Sequence, residues 1–157
     1  MPHYGYSLRD YDPATMALAS ARDQPVSFKK SVNLCRALVG LKVEAAKKLL
    51  EQISEQKVPV QFRTYRDKVA HRRSLGGTGG AAGRYPVKAA KATLRVLVNA
   101  ENNASQKNLD TESLVIVHAA AHKARAVPRQ FPRAMGRMSL KRKILTHIEV
   151  CVKEVKS

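Results

Sequence analysis

Hydrophobic residues in the first third of the chain repeat with two different periods. Residues 15–22 place alternate side chains on opposite faces, which predicts a short strand. From residue 28 onward, apolar side chains recur at helical spacing, with Ser27 as the predicted N-cap and Gly40 as the predicted stop. A second amphipathic helix is predicted over about 43–53, where charged side chains lie opposite the apolar face.

The middle of the chain, residues 54–86, has no such period and predicts a loop of unusual length for a compact domain. Five of the eight glycines fall between Gly76 and Gly83, among basic side chains. Pro86 is suited to the first turn of a third helix, which the turn-forming residues 99–108 are expected to end. One face of this helix is apolar, and another carries Lys88, Lys91 and Arg95.

The C-terminal part predicts a long β-hairpin over residues 113–154. Residues 144–155 alternate with a clean period of two, and a similar apolar segment begins the first arm. Pro128, Pro132 and Gly136 exclude a continuous helix between the arms and predict an irregular, basic tip. Each arm of about 20 residues would extend roughly 60 Å, whereas a compact chain of this length has a radius of gyration near ~15 Å. The hairpin is therefore expected to project.

The chain has 157 residues, 44% of them hydrophobic, which is enough apolar material for one core. The segments follow the order strand, three helices, hairpin. The expected organisation is a single domain over 1–157, with an N-terminal arm at 1–14, a globular part at 15–112 that contains the basic insertion 54–86, and the hairpin at 113–154.

The chain is strongly basic: Lys and Arg total 29 against 12 Asp and Glu, a formal net charge of +17. Nearly all of the excess lies in two blocks, 56–100 and 125–157, and no acid occurs between Glu112 and Glu149. A solvated surface usually mixes both signs, so long acid-free stretches indicate a surface that contacts phosphate. We therefore expect a polyanionic partner, and a nucleic acid in particular.

The candidate contact residues follow from these blocks. Four hairpin arginines recur every four residues, which would place their guanidinium groups on one face in a helix or in an extended strand. The full set of candidate RNA-binding residues comprises, in the insertion, Arg63, Arg66, Lys68, His71, Arg72, Arg73 and Arg84; on the third helix, Lys88, Lys91 and Arg95; and on the hairpin, His122, Lys123, Arg125, Arg129, Arg133, Arg137, Lys141, Arg142, Lys143 and His147.

Motifs for catalysis or cofactor binding are missing. The glycine-rich segment lacks the GxxxxGK[ST] pattern and better suits a backbone pressed close to a polyanion. His118 and His122 are four apart, but Ala119 stands where an HExxH zinc helix needs Glu. Cys35 and Cys151 give neither a disulfide framework nor a zinc spacing, which favours a reduced, cytosolic setting. We expect no enzyme activity, no cofactor, no metal and no small-molecule substrate.

A membrane partner is not expected either. No apolar run reaches the roughly 18 residues of a transmembrane helix, and the N-terminus has no signal-peptide core. The basic segments also lack the aromatic and leucine-rich face of an interfacial helix.

Several segments, in order and at suitable spacing, resemble one protein family. The similarity to the large-subunit ribosomal protein family L-twenty-two, called L-seventeen in the older eukaryotic naming, is carried by NAENN (99–103), LDTESLVI (109–116), PRAMGRM (132–138) and THIEV (146–150). Resemblance to its longer archaeal and eukaryotic branch, which carries an insertion, is found in VPVQFRTY (58–65) and GRYPVKAA (83–90). The resemblance covers residues 17–153.

The resemblance implies an α+β fold in which three helices pack on a three-stranded antiparallel sheet and two strands extend into a long protruding hairpin. It implies a structural role in the large ribosomal subunit, in the cytoplasm. The implied partners are large-subunit ribosomal RNA, neighbouring large-subunit ribosomal proteins and, transiently, the nascent peptide. The family's hairpin pattern is matched at Arg133, Gly136, Arg137 and His147, with Lys143 at a basic position. The tip would line the nascent-peptide exit tunnel through Arg129, Gln130, Phe131, Pro132, Arg133, Ala134 and Met135.

Two other functions stay open from the residues alone. An architectural DNA-binding protein would explain the charge and would prefer duplex DNA over structured RNA at matched salt, although no helix-turn-helix pattern is evident. An RNA-modifying enzyme would need catalytic groups that the sequence does not show.

Overall fold

The computed structural model describes residues 5–76 and 80–155, and this part of the chain has an α+β fold. Three antiparallel strands form a sheet in the order β1-β5-β4, and three helices pack on one of its faces, which confirms the predicted fold class. The elements are β1 (Met16–Gln24), α1 (Phe28–Leu38), α2 (Val43–Ser54), β2 (Val60–Gln61), β3 (Gly83–Arg84), α3 (Val87–Gln106), β4 (Leu114–Pro132) and β5 (Met138–Glu154).

Strand β5 lies in the centre of the sheet because it pairs with β1 on one side and with β4 on the other. Ile148, Val150 and Val152 are buried on the face that the helices cover. Glu149 and Cys151 alternate with them and lie on the opposite face, which we call the outer face. The predicted period of two is confirmed, and it explains how one strand serves a core and a second, more polar surface.

Both ends of α1 are fixed by main-chain contacts. Ser27 is the N-cap, as predicted, but its side chain makes no capping hydrogen bond. Its carbonyl oxygen accepts from the N–H groups of Lys30 and Ser31, at 3.1 and 3.0 Å. After the helix, Gly40 has a φ of +86°, a left-handed conformation that glycine tolerates best. Its N–H donates to the carbonyl of Ile116 at 2.8 Å, which joins the end of α1 to β4.

Helix α3 is longer than predicted. The turn-forming residues 99–108 were expected to end it, but the helix continues to Gln106. Ala104 continues the buried face of the helix, and Asn103 Nδ2 donates to the carbonyl of Leu18 at 2.8 Å. Tertiary packing on β1 therefore overrides the weak helix propensity of the asparagines.

The insertion is more regular than predicted. Strands β2 and β3 pair antiparallel, with Val60 opposite Arg84, and an isolated bridge joins His71 to Ala82. The N–H of Phe62 also donates to the carbonyl of Ala82, at 2.9 Å. These main-chain bonds make a second, two-stranded sheet that the sequence pattern did not indicate.

The lack of a side chain at Gly83 lets this small sheet pack closely against neighbouring residues. A Cβ atom at Gly83 would lie 3.1 Å from the carbonyl oxygen of Val60 and would collide with the side chain of Leu75. This glycine therefore permits close packing within the chain. The expectation that the glycine-rich backbone approaches a polyanion stays a prediction. Gly77 and Gly79, to which the same expectation applied, lie outside the described residues.

The long hairpin is formed by β4 and β5, and its tip is more regular than predicted. Cross-strand pairing continues to Pro132 and Met138, where the short 3-10 turn Ala134–Gly136 joins the strands. Two β-bulges shift the register, one near residue 117 and one at residues 124–125. We call residues 114–123 and 146–154 the proximal hairpin and residues 124–145 the distal hairpin.

Only the distal hairpin projects. The proximal hairpin belongs to the sheet beneath the helices, whereas residues 125–144 are exposed apart from the half-buried Ser139. Residues 126–132 pair with 138–144 and would extend about 24 Å at the usual rise per residue. The bulge at 124–125 thus marks the point at which the hairpin leaves the body of the protein.

Candidate nucleic-acid interface

Cationic side chains are concentrated on the distal hairpin and at its base. Residues 123–146 contain eight Lys and Arg and no Asp or Glu. All eight are exposed, and they comprise Lys123, Arg125, Arg129, Arg133, Arg137, Lys141, Arg142 and Lys143. Their mutual repulsion favours a partner of opposite charge.

The distal hairpin has two chemically different faces, because residues paired across the strands point to the same side. One face, which we call the cationic face, carries Arg129 directly across from Lys141. Phe131 lies between cations on this face, with Arg133 Cζ at 5.2 Å and Lys141 Nζ at 4.2 Å from its ring centroid. These cations lie close enough to the aromatic ring for a cation–π interaction.

The other face, which we call the apolar face, carries Met138, Leu140 and Ile144, with the exposed Arg142 between the last two. It continues the helix-covered side of the sheet, since residues 144, 146 and 148 alternate along β5 without a bulge. The helices end before the distal hairpin begins, and Leu140 is consequently 72% exposed.

The four regularly spaced arginines do not form one stripe, and that prediction is wrong. Arg125 lies in the bulge, and Arg129 lies in the regular ladder of β4. Arg133 and Arg137 flank the turn, where the N–H of Arg133 donates to the carbonyl of Arg137 at 2.8 Å. The chain reverses between them, so even spacing does not place the four groups on one face.

A second group of cations lies on the insertion and on α3. Its members are exposed, and they comprise Arg63, Arg66, Lys68, His71, Arg72, Arg73, Arg84, Lys88, Lys91 and Arg95. Some are held in place by the chain itself. Arg84 Nη2 donates to the carbonyl of Lys68 at 3.3 Å, and the Arg72 guanidinium lies 5.3 Å from the ring centroid of Tyr85.

Two predicted contact residues, His122 and His147, make contacts within the chain. His122 Nε2 and His118 Nε2 each lie 3.1 Å from Glu149 Oε1 on the outer face. The N–H of Asp23 donates to Nδ1 of His147 at 3.0 Å. The sequence reasoning did not anticipate these partners, and RNA contact by the two histidines stays a prediction.

The Glu149 carboxylate is the centre of a cluster on the outer face. The main-chain N–H of Ser7 donates to it at 3.2 Å, and the Ser7 hydroxyl is also hydrogen-bonded to it. Burial alone would raise the pKa of Glu149, but the bonds from Ser7, His118 and His122 together lower it below the ordinary value. The cluster fastens the N-terminal arm to the proximal hairpin.

The predicted lysines and arginines have no acidic partners within the described chain. Over residues 5–76 and 80–155, the ion pairs join Lys47 to Glu101, Lys57 to Glu55, and the two histidines above to Glu149. The cationic surfaces therefore keep their charge available for an external anion.

Sequence reasoning missed a cleft where α1, the insertion and the hairpin meet. Phe28, Lys29, Tyr65 and Lys123 line it. The helical spacing that begins at residue 28 includes Phe28 among the apolar positions of α1, and no sequence signal brings Tyr65 close to the hairpin. The proximity of these groups depends on tertiary structure, since Tyr65 and Lys123 are far apart in sequence.

Neither cysteine is suited to catalysis. Both are buried as free thiols, and burial raises the pKa of Cys35 to about 12 and also raises that of Cys151. No cluster of metal-ligating side chains occurs among the described residues. Nor does any helix in that part of the chain have the length and hydropathy needed to span a bilayer.

These features define a small α+β protein whose projecting distal hairpin is cationic and free of acidic residues. Residues 19–153 match the family described as Ribosomal protein L22p/L17e, and the chain belongs to this family. It is accordingly a structural, non-enzymatic component of the large ribosomal subunit, in the cytoplasm, as the resemblance implied.

Similar proteins are found in archaea, in agreement with the expected archaeal and eukaryotic branch. The large ribosomal subunit protein uL22 of Archaeoglobus fulgidus is 46% identical over 150 residues, which cover 96% of each chain. The protein of the same name from Hyperthermus butylicus is 47% identical over 155 residues, covering 98% of this chain and 99% of the relative. That of Aeropyrum pernix is 43% identical over 156 residues, covering 99% and 100%.

Proposed function

We propose that the protein binds large-subunit ribosomal RNA through two surfaces and contributes its hairpin tip to the wall of the nascent-peptide exit tunnel. The first surface is the distal hairpin, and the second is formed by the insertion and α3. In this role the protein acts as a scaffold that neutralises phosphates and fixes the geometry of the RNA. Neighbouring large-subunit proteins are its further partners in the subunit.

The observation that carries this proposal is the pair of like charges at Arg129 and Lys141. They lie directly opposite each other in an antiparallel ladder, an arrangement that is destabilising in an isolated hairpin. An RNA backbone would convert this repulsion into attraction, because phosphates between the two cations would be shared by both. In this kind of binding the protein recognises the phosphate backbone and the shape of the RNA, because the deep, narrow major groove of an A-form helix is closed to side chains.

The second surface supports the same conclusion. Lys88, Lys91 and Arg95 are exposed on α3, opposite its buried face. Lys30 joins them in the fold, because it lines one shallow hollow with Lys88 and another with Arg84. A broad cationic surface on a rigid body can hold folded RNA while the hairpin reaches between RNA segments.

The experiment compares two double variants in binding to a complete large-subunit rRNA transcript at several salt concentrations. Arg129→Gln with Lys141→Gln removes the cross-strand cations. Lys42→Gln with Lys48→Gln removes two exposed cations elsewhere and is the matched control. The slope of log affinity against log salt is negative, and we expect its magnitude to decrease by about 1.5 for the hairpin pair. We expect the control to leave the slope unchanged. Equal slopes for wild type and the hairpin variant would contradict the proposal.

The same assay tests the DNA-binding alternative. Duplex DNA of matched length competes with the transcript at fixed salt. We expect the transcript to bind more tightly, because the two cationic surfaces are proposed to fit folded RNA. Stronger binding to the duplex would favour an architectural DNA-binding role instead.

The tunnel contact is tested at Met135, which is 93% exposed in the turn. Because both native cysteines are buried, a Met135→Cys variant offers one accessible thiol among the described residues. We expect a maleimide reagent to label it in vacant large subunits and to label it more slowly when a stalled nascent chain fills the tunnel. A chain stalled before it reaches the tip is the control. Equal labelling rates in vacant subunits and in subunits with a nascent chain that fills the tunnel would show that the tip does not line the tunnel wall.

A further inference from the structure

A cleft of about 300 Å³ lies at the corner where α1 stops covering the sheet. We call it the corner cleft. The hairpin contributes Lys123, Arg142 and Ile144, α1 contributes Phe28 and Lys29, and the insertion contributes Tyr65. Ile144 and Phe28 provide apolar surface, whereas Lys29, Lys123 and Arg142 supply three cations. The cleft therefore combines aromatic rings and positive charge in a concave surface.

The two aromatic rings are arranged edge to face. The ring centroids of Phe28 and Tyr65 lie 6.2 Å apart with an interplanar angle of 67°. Lys29 Nζ lies 5.3 Å from the centroid of Tyr65, and Lys123 Nζ lies 5.4 Å from that of Phe28. A cation thus lies over one side of each ring. An aromatic ring with a cation near it can bind a nucleotide through its base and its phosphate.

Tyr65 occupies an unusual position on the protein surface. It is 45% exposed and has a φ of +57°, a left-handed conformation that is uncommon for an aromatic residue. Tyr65 also lines a neighbouring hollow of about 230 Å³. An exposed aromatic ring in a strained backbone conformation indicates a role in binding, because core packing does not require it.

Asn33 of α1 holds the insertion where it presents Tyr65. This buried side chain accepts from the N–H groups of Arg63 and Thr64 through Oδ1, at 3.0 and 3.2 Å. Its Nδ2 donates to the carbonyls of Lys29 and Thr64, both at 2.9 Å. The residues before Tyr65 are therefore tied to the same helix turn that carries Phe28 and Lys29.

We propose that the corner cleft binds one unpaired nucleotide of ribosomal RNA, with the base stacked on Tyr65 and the phosphates contacted by Lys29, Lys123 and Arg142. This inference rests on the proposed RNA binding and adds a specific contact to it. A base in a helix is already stacked on its neighbours, so the cleft favours a nucleotide from a loop or bulge. The concave shape fits one extruded nucleotide better than the convex backbone of an RNA helix.

The experiment uses the full chain and the complete large-subunit rRNA transcript. Tyr65→Ala removes the ring, Tyr65→Phe keeps it, and Tyr6→Ala removes a tyrosine of similar exposure, 37%, that also has a cation near its ring. Thermal melting first checks that each variant is folded. We expect Tyr65→Ala to lose about 5- to 150-fold in affinity, the range for one base–aromatic stack, with the salt slope unchanged. Tyr65→Phe and Tyr6→Ala should stay within about twofold of wild type.

Ultraviolet crosslinking of the wild-type complex gives an independent readout. We expect a peptide containing Tyr65 to carry a nucleotide from an unpaired RNA segment. If Tyr65→Ala binds as tightly as Tyr6→Ala, or if the crosslinked nucleotide is base-paired, the cleft proposal is overturned while general RNA binding stands. If wild type shows no preference for the transcript over duplex DNA, the proposed function and the cleft proposal both fail.

Discussion

The proximal and distal parts of the hairpin form one antiparallel ladder but differ in their chemical surroundings. In the proximal hairpin, Ile148 is buried beneath the helices, and Glu149 is hydrogen-bonded on the outer face. In the distal hairpin both faces are exposed, and Arg129 lies across from Lys141. The same strand pairing is therefore supported by a core in one part and opposed by charge repulsion in the other.

The two parts of the hairpin therefore differ in what keeps them ordered. The proximal hairpin is specified by the chain itself, because its side chains fill a core that the helices close. A two-stranded ribbon without a covered face is only marginally stable in water. We therefore expect the distal hairpin to depend on an external partner for its rigidity, and its acid-free surface favours a polyanion as that partner.

The largest expected difference concerns apolar side chains on the same side of β5. Ile148→Ala should lower the free energy of unfolding by about 2–5 kcal/mol, because it leaves a cavity in the core. Leu140→Ala, eight positions earlier on an exposed surface, should change it by less than about 0.5 kcal/mol. Urea denaturation of the isolated protein measures both. Similar losses for the two variants would show that the distal hairpin is packed as tightly as the proximal one.

A smaller effect is expected at Glu149, on the outer face of the proximal hairpin. Glu149→Gln should cost about 1–3 kcal/mol, since hydrogen bonds to a buried charged group are lost or weakened. Because folding lowers the pKa of Glu149, its ionised form stabilises the native state. That stabilisation is complete above the ordinary value of 4.5 and is lost as the pH falls through the lower, folded value.

The pH dependence of unfolding checks this assignment. Wild type should lose stability more steeply than Glu149→Gln as the pH falls below about 4.5. Parallel stability curves for the two proteins would mean that the carboxylate does not gain its partners in the native state.

The smallest effect is expected on the cationic face of the distal hairpin. Without RNA, Arg129→Gln with Lys141→Gln should relieve cross-strand repulsion worth about 0.2–1 kcal/mol. Amide exchange in the distal hairpin should then slow by about 1.4- to 5-fold, as followed by hydrogen–deuterium exchange of the free protein. Faster exchange in the variant would indicate that the two cations do not oppose the fold.

The fold was largely predictable because its main signals are local. The alternation along β5 and the helical spacing of α1 and α2 are properties of short segments, and the structure contains these elements near the predicted bounds. The end of α3 was not predictable, since Asn103 is kept helical by its bond to Leu18, a contact between residues far apart in sequence.

The sequence predicted which residues are cationic at the candidate interface, but it did not predict how the fold arranges them. Charge counts identified the acid-free distal part of the hairpin, but the turn between Arg133 and Arg137 prevents the arginines from forming the expected stripe. The contact of Ser7 with Glu149 spans 142 positions, and no sequence period signals such a pair. The corner cleft was missed for the same reason, because its residues come from three separate segments.

Hydrogen–deuterium exchange of the free protein and of its complex with the large-subunit rRNA transcript tests whether RNA orders the distal hairpin. We expect the amides of the proximal hairpin to be protected in both states. Amides of residues 126–132 and 138–144 should exchange rapidly in the free protein and at least about tenfold more slowly in the complex. Equal protection of the two parts in the free protein, or no change in the distal hairpin on binding RNA, would show that RNA does not order the distal hairpin.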